Sequence, residues 1–376
     1  MEALAPVLTF VISAFVIHLV SCGLVIWRYR KPDCMRPAGG TEPLTVLRPV
    51  CGCEPNLART LASAFTGRAT DYEIIFCVAD PDDLAIPIVK QVMADHQYVP
   101  SRLLIGDDRI SDNPKLNNLA KGWEAALHPW IVTIDSNVLL PRDYIHRLFE
   151  SWGPNTGLVT SPPVGTKPQG FAAHLEAAFL NTYQDVWQLA GDQLGQGFAQ
   201  GKVLFWRRDI LESAGGLAAL GRNMAEDVAA TKVVRATGRR ISVVARPFAQ
   251  PLGRRTFSAV FARQVRWAKV RKDGFPLIFA MEILTGGALP LLTLGGLTAT
   301  GAVPASVASA GVVVWYGTQW LVAWRAGWVH APAQVAAWIL RDLLIPAIWM
   351  SAYLSRGFIW RGHEMGQPSP QPTHVG

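Results

Sequence analysis

The sequence predicts an α/β domain that lies between two hydrophobic, membrane-spanning regions. Of its 376 residues, 50% are hydrophobic and only 17% are charged, a composition that is unusual for a soluble protein of this length. The uncharged stretches lie at the two ends of the chain, whereas charged and polar residues fill residues 28 to 273. In that middle region short β-branched runs alternate with helical patterns, which predicts a largely parallel sheet covered by helices.

The β-branched runs predict the strands of this sheet at residues 44–50, 73–79, 102–105 and 130–134. Helical patterns between the runs predict helices at residues 57–66, 85–95 and 116–127. Ligands of such sheets bind beyond the C-terminal ends of the strands. The residues that directly follow each strand are therefore the first candidates for a functional site.

Two uncharged segments predict membrane-spanning helices. Residues 4–27 contain no Asp, Glu, Lys or Arg and exceed the roughly 20 residues that a helix needs to cross the bilayer core. Residues 283–324 are also uncharged and are long enough for two helices, with a break at Ala302-Val303-Pro304. The basic residues that follow the first segment predict an external N-terminus and a cytoplasmic middle region.

A third apolar segment, residues 334–354, carries the adjacent pair Arg341 and Asp342 near its middle. Charges inside a span are costly, so we expect this pair to face protein or water. Two roles stay open for it: joining helices or contacting a substrate. Four spans would place the C-terminal tail outside, whereas Arg356 and Arg361 favour the inside, so the side of the tail also stays open.

The net charge of +7 is concentrated beside the apolar segments. The basic clusters are Arg28, Arg30, Lys31 and Arg36, and then Arg266, Lys269, Arg271 and Lys272. Such clusters are typical of cytoplasmic anchors that face anionic lipid, and no nucleic-acid-binding module is visible. The five cysteines form neither a disulfide framework nor a zinc pattern. We therefore expect an integral membrane protein that does not bind nucleic acid.

Three acidic positions are candidates for a nucleotide-sugar site. Asp80 and Asp135 directly follow predicted strands, where a carboxylate can bind a ribose or base, or hold a divalent cation against a diphosphate. Asp at a strand end also commonly caps the next helix or turn. Either residue alone is therefore weak evidence for a nucleotide-sugar site, and the two together are stronger evidence. Asp227 opens a helical pattern, where the helix dipole alone would favour an acidic residue.

The segment Arg263-Gln-Val-Arg-Trp267 lies about one element beyond Asp227, immediately before the apolar C-terminal region. Arginines at this position can pair with a diphosphate. Trp267 offers an apolar platform for a sugar or a lipid. The segment therefore supports a site at the membrane surface.

The ordered set Asp80, Asp135, Glu226-Asp227 and Arg263-x-x-Arg266-Trp267 resembles the D, D, D, (Q/R)xxRW pattern of membrane-bound family 2-like glycosyltransferases. Further motifs resemble the ceramide glucosyltransferases of glycosyltransferase family 21: Asn113-Pro-Lys-Leu-Asn-Asn118, Ile134-Asp-Ser136, Gln169-Gly-Phe-Ala172, Arg208-Asp-Ile-Leu-Glu-Ser-Ala-Gly-Gly216 and Ala225-Glu-Asp227. The resemblance covers nearly the whole chain.

This resemblance implies a cytosolic, Rossmann-like GT-A domain at residues 44–272. An N-terminal transmembrane helix with a basic linker (1–43) and a C-terminal cluster of transmembrane helices with a tail (273–376) would flank it. The implied reaction transfers one sugar, with inversion, from a UDP-sugar such as UDP-glucose to a hydroxyl of a membrane lipid such as ceramide. Mg²⁺ or Mn²⁺ is the implied cofactor, and a bacterial inner membrane the expected location.

The resemblance also implies a role for each matching residue. Asp80 would hold the uridine, Asp135 the metal and diphosphate, and Asp227 would deprotonate the acceptor. Arg263, Arg266 and Trp267 would hold the leaving diphosphate and shape the entry for the acceptor. Pro49 and Glu54 would contact the uridine, and Lys115 and Asn118 would contact the diphosphate. A simple strand stop is the alternative for Pro49.

One position departs from the family pattern. Where many GT-A enzymes have Asp-x-Asp, this chain has Asp135-Ser136-Asn137, which leaves fewer charged oxygens for a cation. Residues 175–205 also differ from the animal ceramide enzymes, so other acceptors stay open: diacylglycerol, a hopanoid or a polyprenyl phosphate. A sugar-nucleotide sensor without turnover is the non-enzymatic alternative.

Overall fold

The computed structural model describes residues 4–30, 41–67, 71–355, 358–360 and 363–365. Its strands are β1 (Leu44–Val50), β2 (Tyr72–Val78), β3 (Ser101–Ile105), β4 (Trp130–Ile134), β5 (Thr156–Thr160), β6 (Val164–Gln169), β7 (Val203–Arg207), β8 (Arg240–Val243), β9 (Ala249–Arg254), β10 (Phe358–Trp360) and β11 (His363–Met365).

Its α-helices are α1 (Leu4–Arg28), α2 (Leu57–Ala62), α3 (Ile86–Asp95), α4 (Pro114–Ala125), α5 (Tyr144–Glu150), α6 (Phe171–Phe179), α7 (Val186–Gln193), α8 (Arg208–Ser213), α9 (Glu226–Ala236), α10 (Phe257–Gly274), α11 (Pro276–Glu282), α12 (Ala288–Ala299), α13 (Ala305–Ala326) and α14 (Pro332–Leu354). Shorter helical segments are the 3₁₀ turns Ser63–Thr66 and Leu217–Arg222 and the π-helical stretch Leu180–Asp185.

The main sheet has seven strands in the order β3-β2-β1-β4-β7-β5-β8. Neighbouring strands are parallel except at β7, which runs antiparallel to both β4 and β5. The strands and helices that the sequence predicts are found within two residues of their expected bounds, apart from the helix predicted at 57–66, which consists of α2 and a 3₁₀ turn. The predicted mixed α/β architecture is therefore confirmed.

Alternation along the strands gives the sheet two buried faces. Val46 and Phe76 pack into one apolar cluster with residues of α2, α3 and α5. Leu47 and Ile75, the adjacent positions, pack into a second cluster with residues of α4, α8 and α9. The sheet is therefore covered by helices on both sides, and its strand ends are left free to form a cleft.

Two helices, α1 and α14, are long and apolar enough to cross a membrane. The expected break near Pro304 is present between α12 and α13, but α12 begins only at Ala288 because Gly286 and Gly287 precede it outside any helix. Its 12 residues extend about 18 Å, less than the roughly 30 Å of a bilayer core. The expectation of two full spans at 283–324 is therefore wrong. Lys31, Arg36, Arg356 and Arg361 lie outside the described residues.

Arg28, the last residue of α1, ties this helix to the sheet domain. Its guanidinium forms an ion pair with Asp192 at 2.7 Å. It also donates hydrogen bonds to the backbone carbonyls of Val243, Val244 and Ala245. Because a guanidinium carries five N–H donors in a fixed plane, this set of contacts sets the direction in which α1 leaves the domain.

The pair Arg341 and Asp342 is buried, and both residues are only 1% exposed. Arg341 donates to the carbonyl of Ala178 and the hydroxyl of Thr182, and also to Gln319 on α13. Its other partner is the Asp342 carboxylate at 2.8 Å. These contacts join α14 to α6, to the π-helical stretch and to α13, so the geometry supports the role of joining helices.

Replacing Asp342 by Asn should destabilise the protein, because Arg341 would keep its buried charge and lose its partner. Removing one member of a buried ion pair costs about 3–5 kcal/mol, so we expect Asp342→Asn to lower the melting temperature in detergent. The double variant Arg341→Met/Asp342→Asn should recover part of this loss, since it removes both charges. Unchanged melting with lost turnover would instead favour the substrate-contact role.

Candidate active site

A cleft of about 410 Å³ opens at the C-terminal ends of β1 and β4, a size typical of small-molecule sites. Its walls come from α4, the segment before β7, the start of α9 and one face of α10. It brings together nine of the ten residues that the sequence predicts: Pro49, Glu54, Lys115, Asn118, Asp135, Asp227, Arg263, Arg266 and Trp267.

The start of α4 places Lys115 in this cleft. Asn113 caps the helix, since its side chain accepts hydrogen bonds from the backbone N–H groups of Lys115 and Leu116. Pro114 follows at the first helical position, which suits its fixed φ. The motif that resembles family 21 is therefore a helix start that holds a lysine toward the strand ends.

Lys115 bridges two carboxylates. Its Nζ lies 2.7 Å from Oδ1 of Asp135 and 2.7 Å from Oε1 of Glu226, and it also donates to the carbonyl of Gly201 at 2.6 Å. Burial alone would lower the pKa of Lys115, but the two carboxylates raise it well above its usual range. The ammonium group is therefore a permanent positive charge in the cleft.

Asp135 has a second lysine partner that the sequence does not reveal. Ile134 of β4 lies opposite Val203 of the antiparallel strand β7. Asp135, which follows Ile134, therefore lies opposite Lys202, which precedes Val203. The Lys202 carbonyl accepts from the Asp135 N–H at 3.0 Å. The Lys202 ammonium lies 2.9 Å from Oδ2 of Asp135. Burial would raise the pKa of Asp135, but Lys115 and Lys202 hold it well below its usual range.

Asn137, the last residue of Asp135-Ser136-Asn137, uses both ends of its amide. Its Nδ2 donates to Oε2 of Glu54 at 2.8 Å. Its Oδ1 accepts from Lys202 at 3.1 Å. The amide thus lies between a carboxylate and an ammonium group, and its donor and acceptor each face the charge that suits them.

Asp227 lies at the start of α9 and forms no ion pair with another described residue. Its Oδ2 accepts from the backbone N–H of Gly201 at 3.0 Å, and its Oδ1 accepts from that of Val228 at 2.8 Å. Burial, together with the neighbouring Glu226 charge, raises the pKa of Asp227 to about 6. A carboxylate with this pKa can accept a proton near neutral pH.

Glycine at position 201 leaves room for both carboxylates. A Cβ on it would lie 2.7 Å from Oε1 of Glu226 and 3.4 Å from Oδ2 of Asp227, so the Glu226 carboxylate would have to shift. Without a Cβ, the backbone approaches both carboxylates, so that its N–H bonds Asp227 while its carbonyl bonds Lys115.

Glu226 differs from its neighbour because both of its oxygens have side-chain partners. Oε1 pairs with Lys115, and Oε2 accepts from Nδ2 of Asn113 at 3.1 Å. The two adjacent acids are therefore distinct: Glu226 neutralises the lysine, and Asp227 stays available for a proton.

On α10, Arg263 and Trp267 are held by α6. Both oxygens of the fully buried Glu176 are engaged, one by Arg263 and the other by Arg255 at 2.8 Å. Trp267 packs against a small apolar cluster that includes Leu180. Sequence reasoning missed Glu176, whose only signal is a carboxylate inside an otherwise apolar helical run.

Asp80 is the predicted residue that does not line the cleft, whereas Asn118 and Pro49 do. Asp80 is exposed, and its Oδ1 accepts from the N–H of Asp82 at 2.9 Å, which is the turn-capping role that the sequence leaves open. Asn118 donates to the carbonyl of Cys77. Pro49 does not stop its strand, because β1 continues to Val50.

Comparisons with known proteins agree with this architecture. Glycosyl transferase family 21 matches residues 12–367. Ceramide glucosyltransferase 3 of Caenorhabditis elegans is 24% identical over 364 residues, which cover 94% of this chain and 78% of that protein. Ceramide glucosyltransferase 1 of the same organism is 25% identical over 376 residues, with the same coverage.

Among solved structures, the mannosyltransferase from Pyrobaculum calidifontis in complex with GDP-Man and Mn²⁺ is similar to this chain. The TM-score is 0.53 at 17% sequence identity, and the match covers 90% of this chain and 99% of that one. This similarity confirms the GT-A fold. Because the family match extends over nearly all of the sequence, this chain belongs to glycosyltransferase family 21.

Proposed function

We propose that this protein transfers one glucose residue from UDP-glucose to a hydroxyl of ceramide, with inversion at the anomeric carbon, to give glucosylceramide. The observation that carries the proposal is the pairing of one available carboxylate with several cations in a single cleft. Asp227 supplies the carboxylate, while Lys115, Lys202 and Arg266 supply positive charge in the lining of the same cleft. The relatives named ceramide glucosyltransferase support the acceptor.

The first chemical requirement is a base. The hydroxyl of a lipid is a poor nucleophile at neutral pH, so a carboxylate must take its proton as it attacks the anomeric carbon. Asp227 meets this need, because its oxygens accept only from backbone N–H groups among the described residues. A single displacement needs one such base and inverts the anomeric centre.

The second requirement is stabilisation of the departing diphosphate. Negative charge develops on the leaving group in the transition state, and preorganised cations in a buried cleft stabilise it more than water does. Lys115 and Lys202 are already fixed by their partners at the strand ends. Arg266 lines the same cleft from α10.

The third requirement is access for a lipid. Helix α10 separates the cleft from α14, one of the two candidate spans. On its other side Ala268 packs with Phe279 of α11 and with Ile345 and Ile348 of α14. The cleft therefore lies beside apolar helices, which supports a membrane lipid as acceptor. We place the site at the cytoplasmic face of a bacterial inner membrane as part of the same proposal.

Other acceptors, such as diacylglycerol, a hopanoid or a polyprenyl phosphate, would use the same base and cations. A sensor without turnover would not need a carboxylate kept free of a cationic partner, so Asp227 favours catalysis. The Mg²⁺ or Mn²⁺ that the family resemblance implies does not fit at Asp135 as the side chains are arranged, because the ion would lie against the ammonium groups of Lys115 and Lys202, one at each carboxylate oxygen.

Purified protein in detergent, incubated with UDP-glucose and ceramide, should form a β-linked hexosyl lipid detectable by mass spectrometry and NMR. Asp227→Asn should lower the rate by a factor of about 10² or more, because the amide cannot accept the proton. UDP-glucose binding should persist, and the exposed Asp209→Asn serves as the control. Near-normal turnover of Asp227→Asn would show that Asp227 is not the base and would make Glu226 the next residue to test. If product formed only with another lipid, ceramide would not be the acceptor.

The raised pKa of Asp227 predicts an acidic limb in the pH profile. The carboxylate works as a base only when ionised, so kcat/KM should fall about tenfold per pH unit below its pKa of about 6. The Glu226→Gln variant should show this limb at lower pH, since it removes one of the two causes of the raised pKa. A wild-type profile that stays flat through this range would argue against Asp227 as the base.

A further inference from the structure

Lys202 occupies the position between Asp135 and Asn137. Its Nζ lies 2.9 Å from the Asp135 carboxylate and 3.1 Å from the amide oxygen of Asn137. One ammonium group is thus bound by the first and third residues of Asp135-Ser136-Asn137. Carboxylates at both positions, as in the Asp-x-Asp of many GT-A enzymes, would suit a divalent cation instead.

The charge of Asp-x-Asp suits a divalent ion, and the charge of Asp135-Ser136-Asn137 suits Lys202. Two carboxylates carry a charge of −2 and suit a divalent ion, whereas the Asp135–Asn137 pair carries −1 and suits a single ammonium. Asn137 also donates to Glu54 at 2.8 Å, which a carboxylate at this position could not do. An aspartate at 137 would place two carboxylates against each other, so the asparagine and the lysine fit as a set.

A divalent cation bound to Asp135 would lie against two ammonium groups, those of Lys115 and Lys202. Lys115 takes its Oδ1 at 2.7 Å, while Lys202 takes its Oδ2. The nearby Glu226 is occupied as well, by Lys115 and Asn113. Across the described ranges, no group of three or more His, Cys, Asp or Glu residues is placed to hold a metal. Positive charge at this point in the cleft comes from the protein itself.

Lys202 is also held in place from its own backbone. Its carbonyl accepts from the N–H of Asp135 at 3.0 Å as the β4–β7 pairing continues. Its side chain is 14% exposed and lines the cleft. The ammonium is therefore preorganised and still reachable by a ligand.

We propose that Lys202 is a diphosphate-binding residue that acts as a tethered cation, in the place where Asp-x-Asp enzymes of this fold hold a divalent ion. Lysine binds phosphate as a compact point charge. This assignment rests on the proposed use of a nucleotide-diphosphate sugar. Its consequence is turnover that does not depend on an added divalent cation.

The test compares wild type with Lys202→Met and with Lys202→Met/Asn137→Asp, which restores Asp-x-Asp. Wild-type turnover should change less than about twofold when divalent cations are chelated. Lys202→Met should lose about 100-fold in kcat/KM, in line with removal of one preorganised group from a developing negative charge. The double variant should regain activity only with Mn²⁺.

Mn²⁺ binding gives a readout that does not depend on turnover. Electron paramagnetic resonance of Mn²⁺ titrated in the presence of UDP should show tighter binding by the double variant than by wild type. Lys232→Met, which removes an exposed lysine outside the cleft, is the matched control and should behave as wild type in both assays.

Two results would overturn the assignment. One is a wild-type enzyme that loses most of its turnover on chelation and regains it with Mn²⁺; the other is a Lys202→Met variant with unchanged kcat/KM. Neither result depends on whether the double variant folds. The failure of wild type to transfer any sugar under all conditions would instead count against the proposed function.

Discussion

The cleft depends on one ammonium group, that of Lys115. It contacts Asp135 at the end of β4, Glu226 at the start of α9 and the carbonyl of Gly201 before β7. These segments are far apart in sequence and would otherwise bring negative groups together in a buried space, where uncompensated charges are strongly unfavourable. With the lysine in place, the strand ends and the helix start can converge on one cavity.

This compensation also separates the roles of two neighbouring acids. Both oxygens of Glu226 are bonded by side chains, those of Lys115 and Asn113, whereas the hydrogen bonds that Asp227 accepts from the described part of the chain come from backbone N–H groups. The closeness of Glu226 contributes to the raised proton affinity of Asp227. One acid therefore keeps the lysine neutralised and the other is tuned by its neighbour, which is a common way for a protein to give two carboxyl groups different functions.

Much of the fold could be predicted because its signals are local. Apolar runs and strand-end residues located the sheet and placed Asp135 at its edge, and the motif resemblance added Arg263, Arg266 and Trp267, which lie on α10. Lys202 could not be found this way, since its place follows from the antiparallel register of β7 against β4. Glu176 was missed because only its tertiary partners, Arg255 and Arg263, distinguish it from an ordinary helical residue. The length of α12 was overestimated because hydropathy does not show that the helix starts only after Gly286 and Gly287.

Arg28 has a consequence for how the enzyme meets its acceptor. The contacts of Arg28 fix α1 to the sheet domain. The second candidate span, α14, packs against α6 and α10. With both helices attached, the domain cannot tilt freely relative to them. In the proposed orientation the cleft stays at one height above the bilayer plane. The encounter then becomes a two-dimensional search by lateral diffusion, and its rate follows the mole fraction of acceptor in the membrane rather than the bulk concentration in water.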